Sequence, residues 1–296
     1  MNKKYRKYIL KRMLVTLLFV GCFFLQVIPV KAQQMHRLIQ TTTDEELWNS
    51  YVNLGMTKTY ISEEDTLEEV QEKVKQSCVY IHLYENNGSV SDKAHGSGFI
   101  INITKDKMYI ATCRHMCYLG WGPKNGYCIL FNEDELNDIW KENNLKGTLL
   151  GTSGDFEFGD FGIIEVDISN LSYEDKICFK KAPINKDSIN IKPSTEGFFY
   201  HISKNGNYSL KKVEILPTNQ TLCFSWAIER LYTQCTYVSV NGDSGSYYFD
   251  KNGNIIGILV GMTGKVIDGT RVRRDHILRP GAIFDAYEKI VGSDWE

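Results

Sequence analysis

The sequence predicts an all-β protein, built of barrels or sandwiches and finished by one C-terminal helix. Two observations predict this class. From Cys78 onward the chain consists of short apolar or alternating runs separated by turn signals, a pattern of many short strands. From Pro280 to Val291 the period changes, and Ile283, Phe284, Tyr287 and Ile290 fall on one face of a helix.

The N-terminus has the layout of a targeting segment. Lys3, Lys4, Arg6, Lys7, Lys11 and Arg12 precede the apolar run Met13 to Val30, and Val30-Lys31-Ala32 has the small-x-small form of a cleavage site. Residues 1–32 are therefore expected to be a signal peptide, and the protein to be secreted or at the cell surface. The apolar run is near the minimum for a bilayer span, so contact with a membrane is expected only through an uncleaved signal. Removing this segment takes away seven basic residues and leaves 27 against 36 acidic ones, a formal charge of −9. No basic patch remains that would bind nucleic acid. Seven cysteines survive cleavage, an odd number, so at least one is unpaired or bonds another chain.

Residues 33–76 form a polar extension or pro-segment. Within it Leu67, Val70 and Val74 have helical spacing and form a docking face. Strands are expected from Cys78 to Leu83, Gly96 to Ile103, Met108 to Thr112, Tyr127 to Phe131, Lys146 to Gly151 and Asp160 to Val166. Asn132 to Asn144 is an acidic insertion with a short helix, and Ser169 to Asp187 a linker. A second set of strands is expected at Ile189–Ile191, Gly197–Ile202, Tyr208–Leu216, Thr221–Phe224, Thr236–Val240, Tyr247–Phe249 and Asn254–Met262.

The chemistry concentrates at Gly242-Asp243-Ser244-Gly245, a serine held between glycines in a tight turn. The N–H groups of Gly242 and Ser244 can point at one spot, as an oxyanion hole requires. A nucleophilic serine needs a base and a carboxylate to orient it. Of the six histidines, His115 stands out, because the strand-like run from Met108 stops at it. Asp160 opens a short apolar strand and is the preferred carboxylate, with Asp155 and Asp167 as rivals. Cys113 and Cys117 have no second close Cys/His pair to complete a metal site, so no metal and no cofactor are expected.

Ala111-Thr112-Cys113-Arg114-His115, Asp160-Phe161-Gly162-Ile163-Ile164 and Gly242-Asp243-Ser244-Gly245-Ser246, in that order, resemble the three signature segments of the chymotrypsin/trypsin-like serine proteases. Gly96-Ser97-Gly98-Phe99-Ile100-Ile101 and Asn252-Gly253-Asn254-Ile255-Ile256-Gly257-Ile258 are similar to the bacterial branch, the high-temperature-requirement and glutamyl endopeptidase types. The resemblance implies two antiparallel β-barrels of the chymotrypsin type with a C-terminal helix. The first would span 77–180 and carry His115 and Asp160; the second would span 181–296 and carry Ser244. It implies a secreted serine endopeptidase acting on protein or peptide substrates. The alternatives are an inactive binding protein of the same fold and a membrane-anchored quality-control protease. The primary specificity pocket would be lined by Val238, Ser239, Val260 and Met262, which favours an apolar substrate side chain. Asp243 would need either an internal donor or an amine released by cleavage near Lys75-Gln76-Ser77.

Overall fold

The computed structural model describes residues 44–84, 90–118, 126–153, 159–184, 196–216 and 232–292. The expected leader (1–32), the expected strands Ile189–Ile191 and Thr221–Phe224, and Asp155 lie outside the described residues. The chain divides into two compact units at Asn53 and Leu54. Helix α1 (Asp44–Asn53) is the described part of the first. Everything below belongs to the second.

Helix α2 (Leu67–Lys75) opens with a reciprocal capping box between Thr66 and Glu69, which satisfies two donors of the first turn. Its Val70 and Val74 are buried and close, with Ile61, on the turn at Gly253. The amphipathic face expected from the sequence is thus docked on the body of the unit.

Six strands then close a barrel: β1 (Cys78–Tyr84), β2 (Val90–Ile103), β3 (Lys107–Thr112), β4 (Tyr127–Leu130), β5 (Gly147–Thr152) and β6 (Gly162–Asp167). They neighbour one another in the order β1-β2-β3-β6-β5-β4. Val79, Ile81, Phe99, Ile110, Ile129, Ile164 and Val166 are buried in this half. Helix α3 (Arg114–Tyr118) follows β3, and helix α4 (Asp134–Glu142) fills the acidic insertion, burying Leu136, Ile139 and Trp140. The expected linker carries a short helix, α5 (Tyr173–Lys176), and is woven into the fold. Phe179 is fully buried, and Ala182 N–H donates to the Ile100 carbonyl.

The second half is a six-stranded sheet in the order β8-β7-β10-β11-β12-β9. Its strands are β7 (Glu196–Ile202), β8 (Tyr208–Glu214), β9 (Tyr232–Thr236), β10 (Tyr247–Phe249), β11 (Ile255–Ile267) and β12 (Thr270–Leu278). The two edge strands meet at an Ile215–Cys235 bridge, so the sheet curls on itself around Phe199, Val213, Tyr248, Ile256, Leu259 and Ile277. Two expectations are corrected here. The strand placed at Thr236–Val240 ends at Thr236, leaving 237–240 as irregular chain. The run placed at Asn254–Met262 continues to Ile267 and returns as β12. Asp268 and Gly269 turn it with φ of 49° and 77°, the positive pair that a tight hairpin needs.

Helix α6 (Pro280–Val291) starts with Pro280 in its first turn and ends at Gly292. It leaves the second half and packs on the first: Asn102 Nδ2 donates to the Tyr287 hydroxyl at 3.0 Å, and Tyr109 meets the Tyr287 ring edge-on. The fold is thus all-β, two antiparallel halves with a C-terminal helix. The six described cysteines are free thiols.

Candidate active site

Strands β3 and β6 pair Thr112 with Gly162 and Ala111 with Ile163, which sets the chain after β3 beside the chain before β6. His115 therefore meets Asp160. The sequence places His115 at a strand end, whereas it lies one turn further on, in α3. Its backbone N–H donates to Asp160 Oδ1 at 2.8 Å, and its Nδ1 lies 2.5 Å from Oδ2. Both carboxylate oxygens thus hold one residue, fixing the imidazole's position and rotation. Asp160 is buried, while the His115 side chain is 30 % exposed. The neighbouring backbone is fixed too: Ser153 N–H donates to the Phe161 carbonyl at 2.9 Å. Asp160 N–H donates to the Tyr232 hydroxyl at 2.9 Å, and burial together with the Asp160 charge pushes the Tyr232 phenol up.

Ser244 sits in a turn pinned from both halves. Ser97 on β2 donates its N–H to the Ser244 carbonyl and its Oγ to the Gly242 carbonyl, each at 2.8 Å. Gly245 is required at its position. A Cβ there would lie 2.0 Å from the Ser97 carbonyl oxygen and 2.5 Å from Thr112 Oγ1. Gly245 N–H donates to the Leu259 carbonyl at 2.7 Å, and the Cys113 thiol donates to that same oxygen at 2.9 Å. One carbonyl thereby joins the residue after Ser244 to the chain two residues before His115. With the Gly242 and Ser244 carbonyls occupied, their N–H groups donate to no other described residue.

Cys113, His115 and Asp160 place their ligand atoms within 4.8 Å of one another, a spacing that a metal ion would tolerate. Burial above all, with the Asp160 charge, pushes the Cys113 thiol well above its ordinary range. The sulfur lies 2.9 Å from the Leu259 carbonyl, the distance of a thiol that donates to it.

The four residues assigned to the pocket lie as follows. Val238 packs against the core of the second half, Ser239 and Val260 are buried, and Met262 is 44 % exposed. Three of them surround Asp275, which sequence reasoning missed. Val238 N–H and Ser239 N–H both donate to its Oδ2 at 3.0 Å, Ser239 Oγ donates to Oδ1 at 2.6 Å, and Met262 faces it in the β11–β12 register. Burial raises the Asp275 carboxyl, against these hydrogen bonds. Next to it His276, buried, has Nε2 2.7 Å from Thr263 Oγ1, and burial lowers its pKa to about 4.

Of the rival carboxylates, Asp167 lies at the far end of β6, bonded to Ser169. The supporting residues Ser97 and Tyr232 were also missed, as was His201, whose Nδ1 lies 2.6 Å from Oδ1 of the buried Asp243. Ser97 alone carried a signal, its place between two glycines in Gly96-Ser97-Gly98.

No protein-family model matches the chain, and no curated protein matches it in sequence. In structure the chain is similar to a serine-to-alanine mutant of Rv3671c from M. tuberculosis H37Rv, in its inactive form. The TM-score is 0.50 at 14 % identity, over 79 % of this chain and 97 % of that one. The fold is of the chymotrypsin type. A crystal structure of Rv3671c protease, also in an inactive form, matches with a TM-score of 0.49 at 14 % identity, over 78 % of this chain and 96 % of that one.

Proposed function

We propose that the protein is a secreted serine endopeptidase of the trypsin-like type, bacterial branch, that cleaves proteins or peptides through Ser244, His115 and Asp160. The observation that carries this reading is the Leu259 carbonyl. It ties the Ser244 turn to the chain that leads into the His115–Asp160 pair. Ser244 Oγ attacks the peptide carbonyl, and His115 takes the hydroxyl proton. The tetrahedral oxyanion is held by the N–H groups of Gly242 and Ser244. His115 then returns the proton to the leaving amine, and water repeats the sequence on the acyl-enzyme. Asp160 keeps the imidazole in the tautomer with hydrogen on Nδ1, leaving Nε2 as the base, and stabilises the imidazolium that forms.

The test is covalent labelling with a fluorophosphonate, using Ser244→Ala as control. The reading requires wild-type labelling that vanishes in the variant. A folded wild-type protein that takes no label would instead be a binding protein on a protease scaffold. Export is tested separately: the protein recovered from culture medium should begin after Ala32.

A further inference from the structure

Cys113, His115 and Asp160 are, among the described residues, the one trio of cysteine, histidine or carboxylate side chains that brings its ligand atoms within 4.8 Å. No second close Cys/His pair is needed to complete it. Cys113 and His115 lie in one short segment, and the fold supplies the third ligand from 45 positions beyond His115, at the mouth of β6. Thiolate, imidazole and carboxylate together suit zinc, whereas magnesium and calcium take oxygen ligands.

The movement required is small. Ligand atoms around a tetrahedral zinc lie about 3.3–3.7 Å apart, so no pair of the trio has to close by more than about 1.5 Å. His115 Nδ1 and Asp160 Oδ2, now 2.5 Å apart, have to open by roughly 1 Å. Cys113 and Asp160 are buried, but the His115 side chain is 30 % exposed, so the ion enters on that side and the imidazole yields to it. The thiol gives its proton to solvent as the sulfur binds, one proton for each ion. A doubly charged ion between a thiolate and a carboxylate makes a neutral group, which burial tolerates better than a lone carboxylate.

We infer that Cys113, His115 and Asp160 form a zinc site, and that an ion held there switches the endopeptidase off. Zinc on Nδ1 leaves the imidazole hydrogen on Nε2, the nitrogen that has to accept the Ser244 proton. The Cys113 sulfur also leaves the Leu259 carbonyl, which then keeps only the Gly245 N–H. The inhibition rests on the endopeptidase reading above; the site itself does not.

The test has two arms. The first adds cobalt, as a visible substitute for zinc, to Ser244→Ala protein and reads the sulfur-to-cobalt charge-transfer band in the near ultraviolet. In that background the band should persist in Cys117→Ala and disappear in Cys113→Ser and Cys113→Ala. A folded Ser244→Ala protein without the band, or a band that survives both Cys113 variants, would overturn the site. The second arm follows fluorophosphonate labelling of wild-type protein in chelator, zinc or magnesium. Zinc should slow labelling, chelator should restore it and magnesium should leave it unchanged. Against its own rate in chelator, each Cys113 variant should need at least about 100-fold more zinc for the same slowing, since even an outer-shell partner is worth 10–100-fold. Equal zinc sensitivity in wild type and the Cys113 variants would overturn the inhibitory role. Wild-type protein that takes no label even in chelator would overturn the endopeptidase reading and the inhibition with it, while the cobalt band still decides the site. Labelling that chelator abolishes and zinc restores would overturn the inhibitory role and the serine mechanism together.

Discussion

The backbone N–H of Asp160 donates to the Tyr232 hydroxyl at 2.9 Å, across the junction of the two halves. The carboxylate that orients His115 is therefore aimed partly by a residue from the opposite sheet. Tyr232→Phe removes the acceptor and leaves a buried N–H unsatisfied, a loss of about 1–3 kcal/mol. The thermal midpoint should fall by several degrees and kcat should fall with it, while Ser244 still labels.

Replacing Ser244 or His115 by Ala should lower turnover by roughly four to six orders of magnitude, with circular dichroism unchanged. Asp160→Asn should cost about four orders, because the imidazole then loses its tautomer. Active-site titration checks all three. Near-normal peptidase activity in Ser244→Ala would remove the assignment.

Gly245→Ala sets a methyl group against the Ser97 carbonyl at a φ of 91°. Backbone on both sides has to give way, and left-handed strain alone costs about 1–3 kcal/mol. The variant should melt lower and lose fluorophosphonate labelling, and denaturant titration beside labelling kinetics would measure both.

Acid stability depends on His276, whose pKa burial lowers from 6.5 to about 4. Between those values the unfolded chain binds a proton that the folded chain refuses, so stability falls as pH falls through this window, by up to about 3 kcal/mol. Asp243 and Asp275, raised by burial, act the other way: the folded chain holds their protons more tightly, and their contribution is lost as pH rises. The His276 share is isolated by difference. His276→Gln should flatten the curve between pH 6.5 and 4 relative to wild type, as urea titrations across that range would reveal.

Under the proposed function, the nearest carboxylate to the expected specificity residues is Asp275. Its carboxylate already takes hydrogen bonds from Val238 N–H, Ser239 N–H and Ser239 Oγ, so its charge is satisfied within the protein. Met262 beside it offers an adaptable apolar surface. Cleavage of a mixed peptide library should therefore favour an apolar residue before the cut bond. Dominant cutting after Arg or Lys would mean that substrate reaches Asp275.

The fold class was legible because strand period and turn residues are local signals. Strand β12 was not, since Arg271, Arg273 and Arg274 break the apolar pattern, although Asp268-Gly269 announced the hairpin. His115, Asp160 and Ser244 each stood in a recognisable segment. Tyr232, His201 and Asp275 did not, because their roles exist only through partners 72, 42 and 36 positions away. Nothing within a few residues of His201 predicts that it will face Asp243.

Ser97 and Gly242 are 145 positions apart, and Cys113 and Leu259 are 146. A ribosome adds about 5–20 residues per second, so the first barrel waits roughly ten seconds for the chain that completes it. During that interval the His115–Asp160 pair can form, but there is no serine turn to act with it and no carbonyl to receive the Cys113 thiol. Synthesis halted before Gly242 yields a fragment with the His115–Asp160 pair and no serine turn, and synthesis halted before β11 yields the turn without the Leu259 carbonyl that ties it down. Pairing over such separations is also slow to nucleate, so the junction of the Ser244 turn with the His115–Asp160 pair belongs to the last stage of folding.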